Sequence, residues 1–291
     1  MRRLPFYIVD VFAEHKYTGN QLAVFREAGT LSDDEMQHIA QEMHFSETTF
    51  IVSDRPRNGG FDVRIFTPAE EIPFAGHPTL GTAHIINTYI LQRTTDQIIL
   101  NLKVGQIPVT CQTDGYSWMQ QMKPVFGHQH DPEMIAGILN INPSELDERF
   151  PIQEVSTGLP FFIVPLKTIT ALKKVKINKD KYFSFIANTA AKAILVFCPE
   201  THNPDNHISV RVFTDYYGVP EDPATGSANG CLAGYLVKYR YFGKDSINIR
   251  SEQGYEINRP SLLLLRAEQH GNDINIFVGG KSIVVAQGEF I

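Results

Sequence analysis

The sequence predicts an α+β protein made of two similar halves, chiefly because one stretch of it occurs twice. The stretch that begins at Arg64 recurs at a constant offset, and the matched positions include Arg64 with Arg211, Ile65 with Val212, and Ile72 with Val219. Three extra residues then intervene before Gly226, which matches Gly76. A strand-like pattern precedes each copy and an apolar helical pattern follows it, so each copy is predicted to be one strand, a glycine turn and a helix. A chain of 291 residues is long enough for two domains, each a mixed sheet around a helix.

In the first half, alternating and β-branched segments predict strands at 6–12, 22–25, 48–52, 61–66, 98–102, 107–111 and 117–122. A helix is predicted to open at Ser32, where Glu35 completes a capping box. Its apolar face consists of Met36, Ile39, Ala40 and Met43. A second helix begins near Pro78, since proline suits a first helical turn. The apolar residues on one side of that helix are Leu80, Ala83, Ile86 and Ile90.

Composition changes at residues 127–132, which predicts a linker between the two halves. Beyond it, helices are predicted at 133–139, 143–148 and 181–191, and after Gly226, where Leu232, Tyr235 and Leu236 are apolar. Strands are predicted around Gly158 within 155–164, and at 194–197, 208–213, 247–251, 261–267, 274–278 and 283–285.

Composition limits the possible partners and compartment. The formal net charge is −6 and no basic stripe is present, so we expect no nucleic-acid partner. No run of about 20 apolar residues is present either, so we expect no membrane span. The N-terminal apolar run breaks at Asp10, which argues against a signal peptide. The cysteines Cys111, Cys198 and Cys231 are odd in number and widely spaced, which favours reduced thiols and a cytoplasmic protein.

The glycine turns at Gly76 and Gly226 are candidate anion sites. Each leads into a helix whose first N–H groups have no intrahelical partner and lie at the positive end of the helix dipole. If the two turns of a duplicated fold face each other across a cleft, they can bind a carboxylate and stabilise charge that develops on it. The alternative is that both glycines only allow a sharp turn into the helix.

Four side chains near these turns are candidates for chemistry. Glu47 lies among Phe and Thr residues, where desolvation favours a general acid or base, although a solvent-facing strand edge is the alternative. Asp222 can bind a ligand, carry a second proton or cap the turn. His77 can relay a proton or be an ordinary hydrogen-bonded histidine. Ser227 lacks the spacing of a nucleophile elbow, so it is interpreted as a binding group.

No cofactor is predicted. The sequence has neither GxGxxG nor GxxxxGK[ST], so nucleotide binding has no support. His128 and His130 fall in the predicted linker, where a solvated loop is favoured over a metal site.

Several ordered motifs resemble one family. They are Val9-Asp10-Val11-Phe12, Gly19-Asn20-Gln21-Leu22-Ala23-Val24, Ser46-Glu47-Thr48-Thr49-Phe50, Ala75-Gly76-His77-Pro78, Asp222-Pro223-Ala224-Thr225-Gly226-Ser227, Gln253-Gly254 and Gly279 to Phe290. Together they resemble the phenazine-biosynthesis (PhzF-like) isomerases, which share the diaminopimelate-epimerase fold. The resemblance covers almost the whole chain.

The resemblance implies two pseudo-symmetric domains, each a β-barrel-like mixed sheet around a central helix. The expected domains are residues 1–127 plus 279–291, and residues 128–278. It also implies a cofactor-free isomerase of a small carboxylate-bearing metabolite, and suggests a homodimer. The resemblance further implies that Glu47 shuttles the proton and that His77, Asp222 and Ser227 line the site. It also implies that Asn20 binds the substrate and that Gly76 and Gly226 supply N–H groups.

Departures from the family pattern leave alternatives open. Two-base epimerases of this fold have a cysteine before each glycine turn. In this sequence Ala75 and Ala224 are aligned with those two cysteines, and their replacement favours a single-carboxylate shuttle. Gln21 and Asn258 replace the proline and glycine common in relatives, which leaves the substrate open. The alternatives are an epimerase with non-cysteine bases, a non-catalytic metabolite-binding protein, and a hydrolase using Ser227, for which no partner histidine is indicated.

Overall fold

The computed structural model of the chain describes residues 3–92 and 95–291. It divides into two compact units. Unit 1 comprises Met1–Gln120 together with Gly279–Ile291, and unit 2 comprises Gln121–Val278.

Within residues 3–92 and 95–120, unit 1 contains eight strands. They are β1 (Leu4–Val11), β2 (Asn20–Phe25), β3 (Thr48–Ile51), β4 (Phe61–Phe66), β5 (Glu71–Ile72), β6 (Gln97–Leu102), β7 (Gly105–Cys111) and β8 (Tyr116–Gln120). The helices are α1 (Asp33–Met43) and α2 (Gly76–Ile85), and α2 continues as one π-helical turn, Ile86–Ile90. The predicted capping box is present, since Ser32 Oγ accepts from Glu35 N and the Glu35 carboxylate accepts from Ser32 N.

Unit 2 contains the remaining elements. Its strands are β9 (Val125–Gln129), β10 (Gln153–Ser156), β11 (Pro160–Pro165), β12 (Ala193–Cys198), β13 (Ile208–Thr214), β14 (Val219–Asp222), β15 (Ser246–Gln253) and β16 (Ser261–His270). Its helices are α3 (Pro132–Leu139), α4 (Ile169–Lys174), α5 (Lys179–Ile186) and α6 (Gly226–Lys238). Strand β17 (Asp273–Phe290) begins in unit 2 and ends in unit 1.

The strands of unit 1 close into a barrel around α2. β1 is antiparallel to β2 and β17, β2 is parallel to β3, and β3 is antiparallel to β4. β4 is parallel to β6, which continues antiparallel through β7 to β8, and β8 pairs with β17. Almost every residue of α2 is buried, because the helix packs against strands on all sides. A helix that is apolar all round is expected at the centre of a domain.

Unit 2 repeats the same connections around α6. β11 is parallel to β12, β12 is antiparallel to β13, and β13 is antiparallel to β14 and parallel to β15. These pairings match β2 with β3, β3 with β4, and β4 with β5 and β6. α6 is buried against β10, β11, β15 and β16. The α+β fold of two similar halves, each a sheet around a central helix, is therefore confirmed.

The strand register corrects the alignment of the two copies. Ile65 pairs with Ile72, whereas its counterpart Val212 pairs with Asp222 rather than with Val219. The three extra residues therefore precede β14, in a short 3-10 turn at Asp215–Tyr217. The predicted match of Ile72 with Val219 is wrong, because the alignment placed the insertion after the strand instead of before it.

The correct register reveals a repeated ion pair that the sequence analysis missed. Arg64 Nε and Nη2 lie 2.8 and 2.6 Å from the two oxygens of Glu71. Arg211 binds Glu221 in the same way, at 2.9 and 2.7 Å. Such bidentate pairs combine charge with fixed geometry. In each unit the pair ties together the two strands that lead into the glycine turn.

Other segments differ from the sequence prediction. Residues 127–132, predicted as a linker, form the end of β9 and the start of α3. The helix predicted at 181–191 ends at Ile186, and the strands predicted at 274–278 and 283–285 are parts of the single strand β17. Within the described ranges, no helix is long and apolar enough to span a membrane.

Candidate active site

The first candidate group lies at the start of α2. Ala75, the N-cap residue, is extended, and its methyl side chain makes no capping hydrogen bond to the first N–H groups of the helix. The turn is held by Thr79, whose hydroxyl donates to the Ala75 carbonyl at 2.7 Å. Because helix starts carry partial positive charge, this opening suits an anionic group.

Glu47 and His77 meet beside this opening. Glu47 directly precedes β3, and His77 is the second residue of α2; their side chains are 18% and 7% exposed. His77 Nε2 lies 3.4 Å from Glu47 Oε2, a contact slightly longer than an ordinary hydrogen bond. The two groups are therefore close enough to exchange a hydrogen bond after a small movement.

His77 is neutral in this setting. Burial lowers the pKa of its imidazole to about 3, against a smaller opposing effect from a hydrogen bond to the backbone of Gln21. A bond that raises an imidazole pKa is one in which the ring donates, so the ring N–H points to Gln21. Since Nε2 has no hydrogen-bond partner, the donor is Nδ1, and Nε2 carries the lone pair that faces Glu47.

Asn20 directly precedes Gln21, the residue whose backbone is hydrogen-bonded to His77. It is the first residue of β2, is 2% exposed, and lies opposite Val11 on β1. Its neighbour Gln21 provides the backbone group that holds His77. The predicted residues Asn20, Glu47, Gly76 and His77 thus lie on adjacent elements of unit 1.

The second candidate group lies at the start of α6 in unit 2. Thr225, the N-cap residue, is extended and makes no side-chain cap. Its hydroxyl instead donates a short hydrogen bond to Asp222 Oδ2, at the end of β14. Gly226 is buried and Ser227 is half-buried in the first turn of the helix. Asp222, Gly226 and Ser227 therefore lie within one tight turn.

The residues before the glycine turns are Ala75 and Thr225. The sequence alignment assigned Ala224 to the second place, but the corrected register matches Thr225 with Ala75. Neither is a cysteine, so the argument against a two-thiol mechanism is unchanged. Burial also raises the pKa of the Cys231 thiol to about 11, and this side chain contacts Thr157 and the Leu159 carbonyl.

His130, from the segment predicted as a linker, contacts a carboxylate and two aromatic rings. His130 Nε2 lies 2.9 Å from Glu154 Oε1, and its ring packs edge-on against Phe162 and Phe185. In the part of the chain that the structure describes, no three His, Cys, Asp or Glu side chains cluster closely enough to hold a metal ion.

The family of the chain follows from comparison with known proteins. A family model described as phenazine biosynthesis-like protein matches residues 9–288. The chain belongs to this family. The trans-2,3-dihydro-3-hydroxyanthranilate isomerase of Pseudomonas aeruginosa is 34% identical over 97% of this chain and 98% of its own. An uncharacterized isomerase of Clostridium acetobutylicum is 31% identical over 100% of this chain and 99% of its own.

Solved structures agree. A phenazine biosynthesis protein of the PhzF family from Bacillus anthracis superposes with a TM-score of 0.91 at 27% identity, over the full length of both chains. A hydroxyproline epimerase from Agrobacterium vitis has a TM-score of 0.64 at 8% identity, covering 100% of this chain and 91% of its own, which shows a shared fold alone. The chain is thus an isomerase of the PhzF-like family with the epimerase-like fold.

In this PhzF-like chain, Asp222 is held by side chains that its sequence neighbourhood does not reveal. Gln253, Asn229 and Ser251 are fully buried beneath the start of α6 and are hydrogen-bonded to one another and to Thr225. The Gln253-Gly254 motif was noticed only as part of the resemblance. Polar residues at positions where a strand faces a buried helix are the signal that could have revealed them.

Proposed function

We propose that the protein is a cofactor-independent isomerase that moves a proton within a small metabolite bearing a carboxylate. The observation that carries the proposal is the contact between Glu47 and a neutral His77 beside an uncapped helix start. A general acid or base needs a position close to the reacting atom and a partner that holds it in place. The start of α2, whose N-cap residue supplies no side-chain cap, provides a place for the carboxylate next to that base.

Proton transfer in this scheme begins at a carbon of the substrate. Glu47 removes a proton from that carbon, the electron pair of the broken C–H bond enters the adjacent conjugated system, and a Glu47 O–H bond forms. The protonated Glu47 then donates a hydrogen bond to the lone pair on His77 Nε2. Glu47 finally returns the proton to a different carbon of the conjugated system, so atoms and charge balance without a cofactor.

The other candidate residues bind the substrate in this proposal. Gly76 and Gly226 offer helix N–H groups, Ser227 offers a hydroxyl, and Asn20 offers an amide. Asp222 accepts a hydrogen bond from a substrate donor, since Thr225 already fixes one of its oxygens. Preorganised donors and acceptors of this kind stabilise charge that develops during proton removal.

Replacing Glu47 with glutamine tests the proposed proton transfer. Glu47→Gln keeps the shape of the side chain but cannot take up a proton, so turnover should fall by about 10²–10⁴-fold. The control is Glu42→Gln, a neutralised and exposed glutamate on α1. The first probe substrate is trans-2,3-dihydro-3-hydroxyanthranilate, named in the Pseudomonas aeruginosa relative. NMR in D2O measures its turnover and the positions at which deuterium is incorporated.

Other outcomes of this experiment contradict the proposal. A Glu47→Gln protein that turns over the probe as fast as the Glu42→Gln control would rule out the glutamate shuttle. Deuterium that appears with inversion at a single stereocentre would indicate an epimerase instead. If the probe is inert, a thermal-shift screen of small carboxylates comes next, since a ligand at about 100 times its Kd stabilises by roughly 2.7 kcal/mol.

A further inference from the structure

A continuous chain of hydrogen bonds runs beneath the start of α6 and ends at Asp222. Ser251 Oγ donates to Asn229 Oδ1 at 2.8 Å, and Asn229 Nδ2 donates to Gln253 Oε1 at 2.9 Å. Gln253 Nε2 donates to Thr225 Oγ1 at 3.0 Å, and Thr225 Oγ1 donates to Asp222 Oδ2. We call these five residues the Asp222 relay. Ser251, Asn229 and Gln253 are at most 1% exposed.

The relay has one direction. Gln253 Nε2 also donates to the Asp222 carbonyl at 2.8 Å, and its Oε1 also accepts from Thr225 N at 3.1 Å. The Gln253 amide therefore makes four hydrogen bonds, which fixes which end is nitrogen and which is oxygen. With both Nε2 hydrogens directed, the Thr225 hydroxyl must accept from Gln253 and donate to Asp222. Linked hydrogen bonds of this kind strengthen one another.

The fold itself does not require the relay. In unit 1, Leu100 pairs with Phe61, and in unit 2 the matching partners are Ser251 and Ile208. By the same register, Leu102 of unit 1 stands where unit 2 has Gln253. The central helix of unit 1, α2, thus packs on leucines, whereas the corresponding helix of unit 2, α6, packs on a buried polar network. Unit 1 shows that the fold forms without such a network, and burying polar groups is costly unless each one is hydrogen-bonded. The network of unit 2 therefore indicates a role beyond packing.

Gly254 allows the relay to reach Asp222. It has a φ of +79°, and a Cβ there would come within 2.6 Å of the Pro223 carbonyl and 2.3 Å of the Arg259 carbonyl. The backbone that follows Asp222 therefore packs directly on this glycine. Gln253 and Gly254 therefore act together. The Gln253 side-chain amide hydrogen-bonds the turn at residues 222–225, and Gly254 allows the backbone of that turn to approach closely.

We propose that Gln253 is a positioning residue that, through Thr225, holds the Asp222 carboxylate in one orientation as a hydrogen-bond acceptor for a substrate hydroxyl or ammonium group. This inference rests on the proposed function for the role of Asp222 in substrate binding. The orientation of Asp222 itself is a property of unit 2, and it can be measured without any substrate.

Two variants of Thr225 separate positioning from simple folding. Thr225→Ser keeps the hydroxyl and the relay, whereas Thr225→Val has nearly the same shape but can neither accept nor donate. Crystal structures of both variants are the first measurement. We expect Asp222 to keep its rotamer in Thr225→Ser and to leave it in Thr225→Val. An unchanged Asp222 rotamer in Thr225→Val would overturn the proposal.

Gln253→Glu provides a second structural test, since it retains the Oε1 acceptor but removes both Nε2 donor bonds. Asp222 should again change its rotamer, while the bond from Thr225 N is retained. If Gln253→Glu does not fold, the comparison of the two Thr225 variants still decides the question.

Kinetics with the probe substrate tests the catalytic consequence. Misplacing Asp222 in Thr225→Val should lower kcat/KM by about 10²-fold, with thermal stability close to that of Thr225→Ser, whose activity should be retained. A purely structural role would lower Tm without changing the activity of the folded fraction. Loss of activity in Thr225→Val with an unmoved Asp222 would contradict the relay, whereas full activity of Glu47→Gln would contradict only the proposed function.

Discussion

The two units share a scaffold but differ in what they place beneath and beside the central helix. Both have the bidentate Arg–Glu pair and a helix start without a side-chain cap. By the strand register, Glu47 of unit 1 corresponds to Ala193 of unit 2. Conversely, Asp222 of unit 2 corresponds to Ile72 of unit 1. A duplicated fold can therefore acquire different chemistry in each copy through single substitutions at matching positions.

The largest expected difference in stability concerns the repeated ion pair. Arg211 is 7% exposed and also donates to the carbonyls of Leu172 and Val175, so Arg211→Met would remove the bidentate partner of Glu221 and one hydrogen bond from each of these carbonyls. We expect a loss of about 3–5 kcal/mol in the free energy of unfolding. Arg64→Met should cost less, because the Arg64 side chain is 25% exposed and Glu71 retains Lys103 at 2.6 Å.

Urea unfolding of the two arginine variants measures this difference. Circular dichroism gives the midpoint and slope for each variant, with the unmodified protein as reference. Equal losses in Arg64→Met and Arg211→Met would show that the extra carbonyl bonds of Arg211 contribute nothing.

A smaller effect is expected from moving one relay position into unit 1. Leu100→Ser places a hydroxyl where unit 2 has Ser251, but unit 1 has Thr79 at the position of Asn229. The change removes a fully buried side chain and should cost about 2–5 kcal/mol. The reciprocal Ser251→Ala removes the hydrogen bond that the buried Asn229 Oδ1 accepts from Ser251, so about 1–3 kcal/mol is expected.

Thermal unfolding of these two variants provides the check. If Leu100→Ser cost no more than Ser251→Ala, the leucine packing of unit 1 would be as tolerant of polar groups as the network of unit 2. That result would remove the main reason for assigning the relay a role beyond packing.

The pH dependence of stability also distinguishes the two helix starts, because the second residue of the central helix is His77 in unit 1 and Ser227 in unit 2. Burial lowers the His77 pKa from 6.5 to about 3, so below pH 6.5 the unfolded chain binds a proton that the folded chain does not. The unfolded state then holds more protons, and stability falls as the pH drops from 6.5 towards 3. The matching residue in unit 2 is Ser227, which does not titrate in this range.

His77→Gln should therefore flatten the fall in Tm between pH 6.5 and pH 3. The exposed His38 on α1 supplies the control variant, His38→Gln, which should keep the slope of the unmodified protein. Identical slopes for all three proteins would contradict a neutral, buried His77.

The sequence predicted the scaffold well because its signals are local. The capping box at Ser32, the start of α2 near Pro78 and most strands follow from patterns within a few residues. The position of the insertion was mispredicted, since only cross-strand pairing shows that Glu71 corresponds to Glu221.

Contacts between distant residues set the limit of the sequence analysis at the candidate site. The closeness of Glu47 and His77 depends on β3 and α2 packing together, which their sequence neighbourhoods do not reveal. The relay joins residues 222, 225, 229, 251 and 253, which lie on β14, α6 and β15. Residues 127–132 misled the prediction because their polar composition masks an edge strand that pairs with β10.

Strand β17 has a consequence for how the protein is made. Residues 279–291 supply the strand that joins β1 to β8, so the barrel of unit 1 can close only after these residues have left the ribosome. Until then the nascent chain carries two open strand edges, which are sites of aggregation. The residues of unit 2 are all synthesised earlier. A stop codon after Val278 would therefore leave unit 2 complete and the barrel of unit 1 open, so the codons for residues 279–291 govern the solubility of the first hundred residues.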